Sequence, residues 1–266
     1  GEKMKKNKVF LVAPAIKTQF WKEFYKNVMQ NDCEIQIIFV GHEWPNFRLP
    51  SNFHYLYSNK SPVECAKLAY EKAYQLADDD DFIQNTADDC LYSKNHFDDL
   101  IVAYKKQESI YPDTPILCGP ASYNGDVMNL MALFAAADCT HPVDMARRKE
   151  ACERAGGTED DLGCSLEGPA LPTGNFSTIK TSKLLGDINT SYQAIYWDCD
   201  LAMVCHSLGG KIIIFDKEEV KPVIERQRSN STLYSRFGSK DFSLLNDLWD
   251  VRSHDGKTWT VKRKEI

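Results

Sequence analysis

Four short apolar runs in the first ninety residues constrain this chain more than any other feature. They are Val9 to Ala13, Glu34 to Val40 (EIQIIFV, closed by Gly41), Asn52 to Tyr57, and Asp81 to Ala87. Between the first two, Phe20, Phe24 and Val28 recur at helical spacing, which predicts a helix over Phe20 to Gln30 with Thr18 as its cap. Ser61-Pro62 sets a cap hydroxyl directly before a proline at the first helical position. The helix it opens runs to about Leu76, with Val63, Ala66, Ala69, Ala73 and Leu76 on one face. Strand and helix alternating in this way predict an α/β fold: a mostly parallel, doubly wound sheet with helices on both faces.

Further along, His96 to Lys106 reads as an amphipathic helix, Pro115 to Cys118 as a strand and Met128 to Ala137 as a buried helix. Residues 138–172 differ in texture, with Arg147-Arg148-Lys149, Gly156-Gly157 and Glu159-Asp160-Asp161, and read as a helical insertion plus a loop. Ile179 to Leu185 and Asp198 to Leu208 are expected to be helices, and Lys211 to Phe215 (KIIIF) a late strand. The expected organisation is one domain over residues 4–266. Gly1 to Lys3 are taken as foreign to a native start at Met4, and the basic N-terminus as something other than a signal peptide.

Composition excludes several functions. Hydrophobic content of 43% and charged content of 26% are those of an ordinary globular chain, and the net charge of −6 advertises no nucleic-acid or acidic-membrane surface. No run reaches the roughly 18 apolar residues of a membrane span. Nine cysteines, an odd number at irregular spacing, fit reduced thiols and a cytoplasmic location better than a disulfide framework. Cys139, His141, Cys152 and Cys164 cluster in the insertion as possible zinc ligands, but their spacing matches no standard site.

The most informative chemistry lies in FIQNTADDCLY, residues 82–92, where an apolar strand ends on adjacent carboxylates, Asp88 and Asp89. Ligands of open α/β sheets bind outside the carboxyl ends of the strands, where this pair falls. Two plain readings compete: an Asp-Asp turn satisfying its own backbone, or a metal and phosphate site.

At this point the order of segments resembles the GT-A fold glycosyltransferases, in particular the inverting family 2 enzymes. The carrying segments are VFLVAPAI, EIQIIFVGHE, SPVECAKLAYEKAYQLA, DDDDFIQNTADDCLY, PTGNFSTIKTSKLLGDIN, YWDCDLAMVCHSLGGKIII and STLYSRFGSKD, spread over roughly residues 8–240. The resemblance implies a Rossmann-like sugar-nucleotide half over about 4–120 and an acceptor half over about 121–266. It implies metal-dependent transfer of a sugar from a nucleoside-diphosphate sugar, a UDP-sugar foremost, to an acceptor hydroxyl with inversion. Asp89 would bind Mn2+ or Mg2+, and Asp198 would be the base that takes the acceptor proton. Pro14, Ala15, Glu43, Ala66, Asp88, Gly174, Asn175 and Trp197 would meet the sugar nucleotide, Gly174 by close backbone approach and Trp197 by stacking.

The departures matter. Ala87 stands where the family's Asp-x-Asp element has its first acid, and Trp197 where a Glu-Asp pair has its Glu. Lys217 to Lys221 lacks a late metal-binding His, and Phe237 stands where Trp is common. The acceptor stays open between glycan, lipid, protein and modified nucleobase. Two rivals remain. One is a domain that binds sugar nucleotides or glycans and has lost the chemistry. The other is an α/β hydrolase using Ser207 in CHSLGG, with Asp241 or Asp250 and then His254. Against the hydrolase, Cys205 replaces the glycine of the nucleophile turn, and KIIIF favours a strand where that fold needs a helix.

Overall fold

A computed structural model describes residues 6–120, 122–124, 127–128, 178–183, 185–215, 217–226, 232–253 and 259–265. The strands are β1 (Lys8–Pro14), β2 (Glu34–Gly41), β3 (Phe53–Tyr57), β4 (Phe82–Asn85), β5 (Cys90–Leu91), β6 (Ile116–Gly119), β7 (Ser122–Asn124), β8 (Val127–Met128), β9 (Thr178–Lys180), β10 (Lys211–Ile214), β11 (Val223–Glu225), β12 (Trp249–Ser253) and β13 (Trp259–Arg263). The helices are α1 (Thr18–Val28), α2 (Pro62–Leu76), α3 (His96–Ile110), α4 (Trp197–Ser207) and α5 (Thr232–Leu248).

The main sheet has seven strands in the order β10-β6-β9-β4-β1-β2-β3. β1 pairs in parallel with β2 and β4, β2 with β3, and β6 with β10, whereas β9 runs antiparallel to both β4 and β6. Six strands therefore point the same way around one reversed strand. Alternate residues of β1 and β2 feed opposite layers, as the pleat requires. Phe10, Val12, Ile38 and Val40 pack with α2, α4 and the end of α5. Val9, Leu11, Ile35, Ile37 and Phe39 pack with Trp21, Phe24 and Val28 of α1 and with α3. β5, β11, β7 and β8 form a small second sheet, and β12 pairs with β13.

Local chemistry accounts for the main boundaries. The Ser61 hydroxyl accepts from the Glu64 amide at 3.3 Å while Glu64 Oε2 accepts from the Ser61 amide at 3.2 Å, a complete capping box that starts α2. At the end of α4, Gly209 takes a left-handed φ of +73° and the Gly210 amide donates to the Cys205 carbonyl at 2.8 Å. Gly41 closes β2 where only glycine fits: a Cβ there would lie 2.0 Å from the Ala15 carbonyl oxygen. The ends of β1 and β2 are thus drawn together, with the Ala15 amide bonded to the Val40 carbonyl at 2.9 Å.

Two local expectations need correction. Where a helix is expected over Ile179 to Leu185, residues 178–183 form β9 and then a 3-10 turn at Thr181–Lys183, because the segment fills the slot between β4 and β6. Pairing with strands distant in sequence outweighs local helical preference. At α1 the capping position belongs to Lys17, no side chain caps the end, and Thr18 is already helical. Of the proposed helix Met128 to Ala137, only Met128 lies within the described residues, as part of β8. The insertion 138–172 and its Cys139, His141, Cys152 and Cys164 lie outside them, as do Gly174 and Asn175.

Candidate active site at the carboxyl edge

Because the six parallel strands share one direction, their carboxyl ends share one edge. Pro14 and Ala15 leave β1 there, Glu43 follows β2, and Asp88 and Asp89 follow β4. α4 leads back to the amino end of β10, so its own beginning lies toward that same edge and carries Asp198 with it. Trp197 is in the core, its ring set edge-on against Tyr70 of α2 with centroids 6.2 Å apart. This contact draws the start of α4 toward the β1–β2 side. Ala66 is also buried, on the inner face of α2.

The adjacent acids do different things. Asp88 Oδ2 accepts from the Lys17 amide at 2.6 Å and from Trp21 Nε1 at 3.0 Å, which ties the start of α1 to the end of β4. Burial lifts its pKa, against the pull of those two hydrogen bonds. Asp89 Oδ2 instead meets the Lys17 ammonium at 2.6 Å; the Asp89 side chain is 1% exposed and that of Lys17 22%. Residue 17 thus grips both acids, one through its backbone and one through its charge.

A third carboxylate stands beside them. Glu225 lies opposite Cys90 across the β5–β11 pair and is buried. Burial, reinforced by the negative charge of Asp89, pushes its pKa up to about 7, with Lys17 pulling the other way. Between its ordinary value and 7 the folded protein binds the extra proton, so this residue withdraws stability as pH rises through that window. Glu225→Gln is expected to raise the melting temperature at pH 8, by the equivalent of about 2–3 kcal/mol at most, and to change little at pH 4.5. Thermal melts at the two pH values check this, and an equal shift at both would contradict it.

Asp198 is half-buried, the second residue of α4, and its Oδ1 accepts from the Cys199 amide at 2.9 Å. Burial raises its pKa above the ordinary value, against the pull of the Cys199 amide, the direction that favours a proton acceptor. The turn before it is held from α5: Asp241, 1% exposed, accepts from the amides of Gln193, Ala194 and Ile195, each at 2.9 Å. Tyr196 then takes a left-handed φ of 63° and α4 begins. Asp200, on the other side of the helix, accepts from Tyr192 Oη at 3.0 Å and Trp249 Nε1 at 2.7 Å.

Sequence reasoning missed several of these residues. Lys17 could have been found, since it follows β1 at the edge where ligands bind. Glu225 sits in a three-residue strand with no readable period. Trp44 (69% exposed), just past β2, stacks on Tyr57 (48% exposed), the last residue of β3, with centroids 4.9 Å apart and planes 15° from parallel. Glu43 is exposed beside them and pairs with His42 at 3.7 Å. The hydrolase alternative loses its scaffold: Ser207 ends a helix that precedes a strand, the reverse of a nucleophile elbow. Ser207 Oγ donates to the Val204 carbonyl, and Asp241 is engaged by backbone amides. His254 lies outside the described residues.

No protein-family model and no curated protein sequence matches the chain. Solved structures do. A mannosyltransferase from Pyrobaculum calidifontis, in complex with GDP-mannose and Mn2+, superposes with a TM-score of 0.55 at 13% identity, covering 91% of this chain. GalNAc-T7, solved with UDP, GalNAc and Mn2+, gives 0.52 at 11% identity and covers 94%. The chain has a GT-A fold. This GT-A chain spans 64% of the first structure's length and 49% of the second's. Among its described residues no helix is long and apolar enough to cross a membrane.

A divalent cation like those two Mn2+ ions does not fit the acids as they stand. Asp89 is already neutralised by an ammonium, and the hydrogen bonds of Asp88 run to the start of α1. Among the described residues no three His, Cys, Asp or Glu side chains converge as a metal site.

Proposed function

We propose that the chain transfers a sugar from a nucleoside-diphosphate sugar to an acceptor hydroxyl. The observation that carries this is the pair of acids closing β4 at the carboxyl edge of a GT-A sheet, gripped by Lys17 from the end of β1. The two solved relatives, complexes with GDP-mannose and with UDP and GalNAc, support a sugar nucleotide as the donor.

In this reading the donor diphosphate lies over Pro14, Ala15 and Lys17. The base lies toward Glu43 and the stacked Trp44–Tyr57 pair, with Asp88 holding the loop that frames it. Ala66 and Trp197 act from the core by shaping α2 and the start of α4. The acceptor oxygen attacks the anomeric carbon on the face opposite the diphosphate. The bond from that carbon to the phosphate oxygen breaks, and its electron pair leaves on the nucleoside diphosphate. The acceptor proton goes to Asp198. Lys17 and the backbone at the ends of β1 and β2 meet the charge that grows on the leaving group.

The rival with a specific observation behind it is a binding domain without turnover, since Ala87 and buried Trp197 stand where the resemblance expects acids. One experiment separates them. Melting temperature is followed with UDP- and GDP-sugars, and release of nucleoside diphosphate is followed by chromatography in the same samples. A ligand-induced rise accompanied by release supports transfer, because ligands of the native state stabilise it by mass action. A rise with no release over hours favours the binding domain, and no rise with any sugar nucleotide refutes the proposal.

A further inference from the structure

Asp89, the carboxylate that the resemblance assigns to a divalent ion, is engaged by a side chain of the protein itself. Lys17 is fixed at both ends: its amide to Asp88 Oδ2 at 2.6 Å, its ammonium to Asp89 Oδ2 at 2.6 Å. The Asp89 carboxylate is 1% exposed and lies against that ammonium, which is itself 22% exposed. An exchangeable surface lysine would offer neither anchor. The loop has little freedom to withdraw, because Asp88 also holds Trp21, a fully buried ring of α1 packed edge-on against Phe39 at 5.4 Å.

Charge arithmetic points the same way. A divalent ion at a sugar-nucleotide site brings two positive charges to a diphosphate and takes carboxylates as ligands. Here Asp89 is already balanced by Lys17, so an incoming ion would have to displace an ammonium at contact distance in a low-dielectric setting. An ammonium has three donors, and contact with Asp89 engages one of them, leaving others to turn toward phosphate oxygens at the sheet edge.

We propose that Lys17 is this chain's resident cation for the donor diphosphate, so that nucleotide binding needs no divalent metal. This inference rests on the transferase reading. The Asp89 carboxylate then serves to position Lys17, and its expected role as a metal ligand passes to the lysine.

The test is calorimetric titration of GDP and UDP into the full chain, once in EDTA and once in Mn2+. The wild type is expected to bind in EDTA with a Kd within about threefold of that in Mn2+, a difference below 1 kcal/mol. Lys17→Met, checked by circular dichroism and melting temperature, is expected to bind at least about tenfold more weakly in EDTA, the loss of one charge-assisted contact. Mn2+ is expected to restore much of that binding once Asp89 is uncovered. Lys17→Arg should retain binding in EDTA. Electron paramagnetic resonance of Mn2+ gives a readout independent of nucleotide: the wild type should leave the ion free, and Lys17→Met should bind it. Nucleotide binding by the wild type that appears only with Mn2+ overturns this inference and leaves the transferase reading standing. No binding of either nucleotide under either condition overturns both. Should Lys17→Met fail to fold, the wild-type comparison alone decides.

Discussion

Asp241→Ala is expected to lower the melting temperature by about 10 °C, the equivalent of roughly 3–5 kcal/mol. One carboxylate on α5 receives three consecutive backbone amides, those of Gln193, Ala194 and Ile195, and is itself buried. Truncation leaves three donors without their acceptor in a place water reaches poorly. Each buried orphan costs about 1–3 kcal/mol, partly recovered as the loop relaxes. Asp241→Asn keeps one acceptor oxygen and sets an NH2 group against the remaining amides, so its loss should be intermediate. Thermal and urea melts of the three proteins test this, and a shift below about 2 °C for the alanine variant would show that the turn is held by other contacts. The same variant should also slow transfer, because the turn leads through left-handed Tyr196 into the helix that presents Asp198.

Asp198→Asn is expected to reduce kcat for sugar transfer by a factor of about 10²–10⁴ while leaving the Kd for the sugar nucleotide within about twofold. The substitution keeps the side chain's shape and an oxygen for the Cys199 amide, and removes only the capacity to accept a proton. That isolates the base from the cap. If Asp198 does no more than cap α4, the variant should keep both its stability and its turnover, because Asn caps about as well as Asp. The pH profile adds a second criterion: burial raises the Asp198 pKa, so the acidic limb of the wild-type kcat profile should lie above the usual range of a surface Asp.

The sheet was readable wherever residues lay next to one another in sequence. β1, β2, β4 and β6 announce themselves as β-branched or aromatic runs, and Ser61-Pro62 with Glu64 marks the start of α2 to the residue. What failed depended on distant partners. Nothing in TIKTSK, residues 178–183, signals that Ile179 will face Ile83 across an antiparallel pair, so helical spacing misled. The candidate site divided the same way. Asp88, Asp89 and Asp198 were visible because strand ends and helix starts are sequence features. Glu225 and Asp241 act across the fold, through a three-residue strand and the middle of a helix, where no local pattern distinguishes a buried carboxylate from a solvated one. Lys17 gave a weaker signal: its place after β1 puts it at the edge where ligands bind, but a lysine following an apolar run also looks like a solvated flank until the 2.6 Å contact with Asp89 is seen.

The reversed strand β9 has one more consequence. It separates β4 from β6, and these two strands touch only through it. Everything before residue 120 therefore supplies a sheet with a gap, and the missing piece arrives after residue 177. The earlier and later halves of the chain are not modules that evolution or an experimenter could exchange by cutting between them. They are interlocked parts of a single hydrogen-bonded surface, and the edge that carries Asp88 and Asp89 is complete only when the later half of the chain has been threaded into the earlier one.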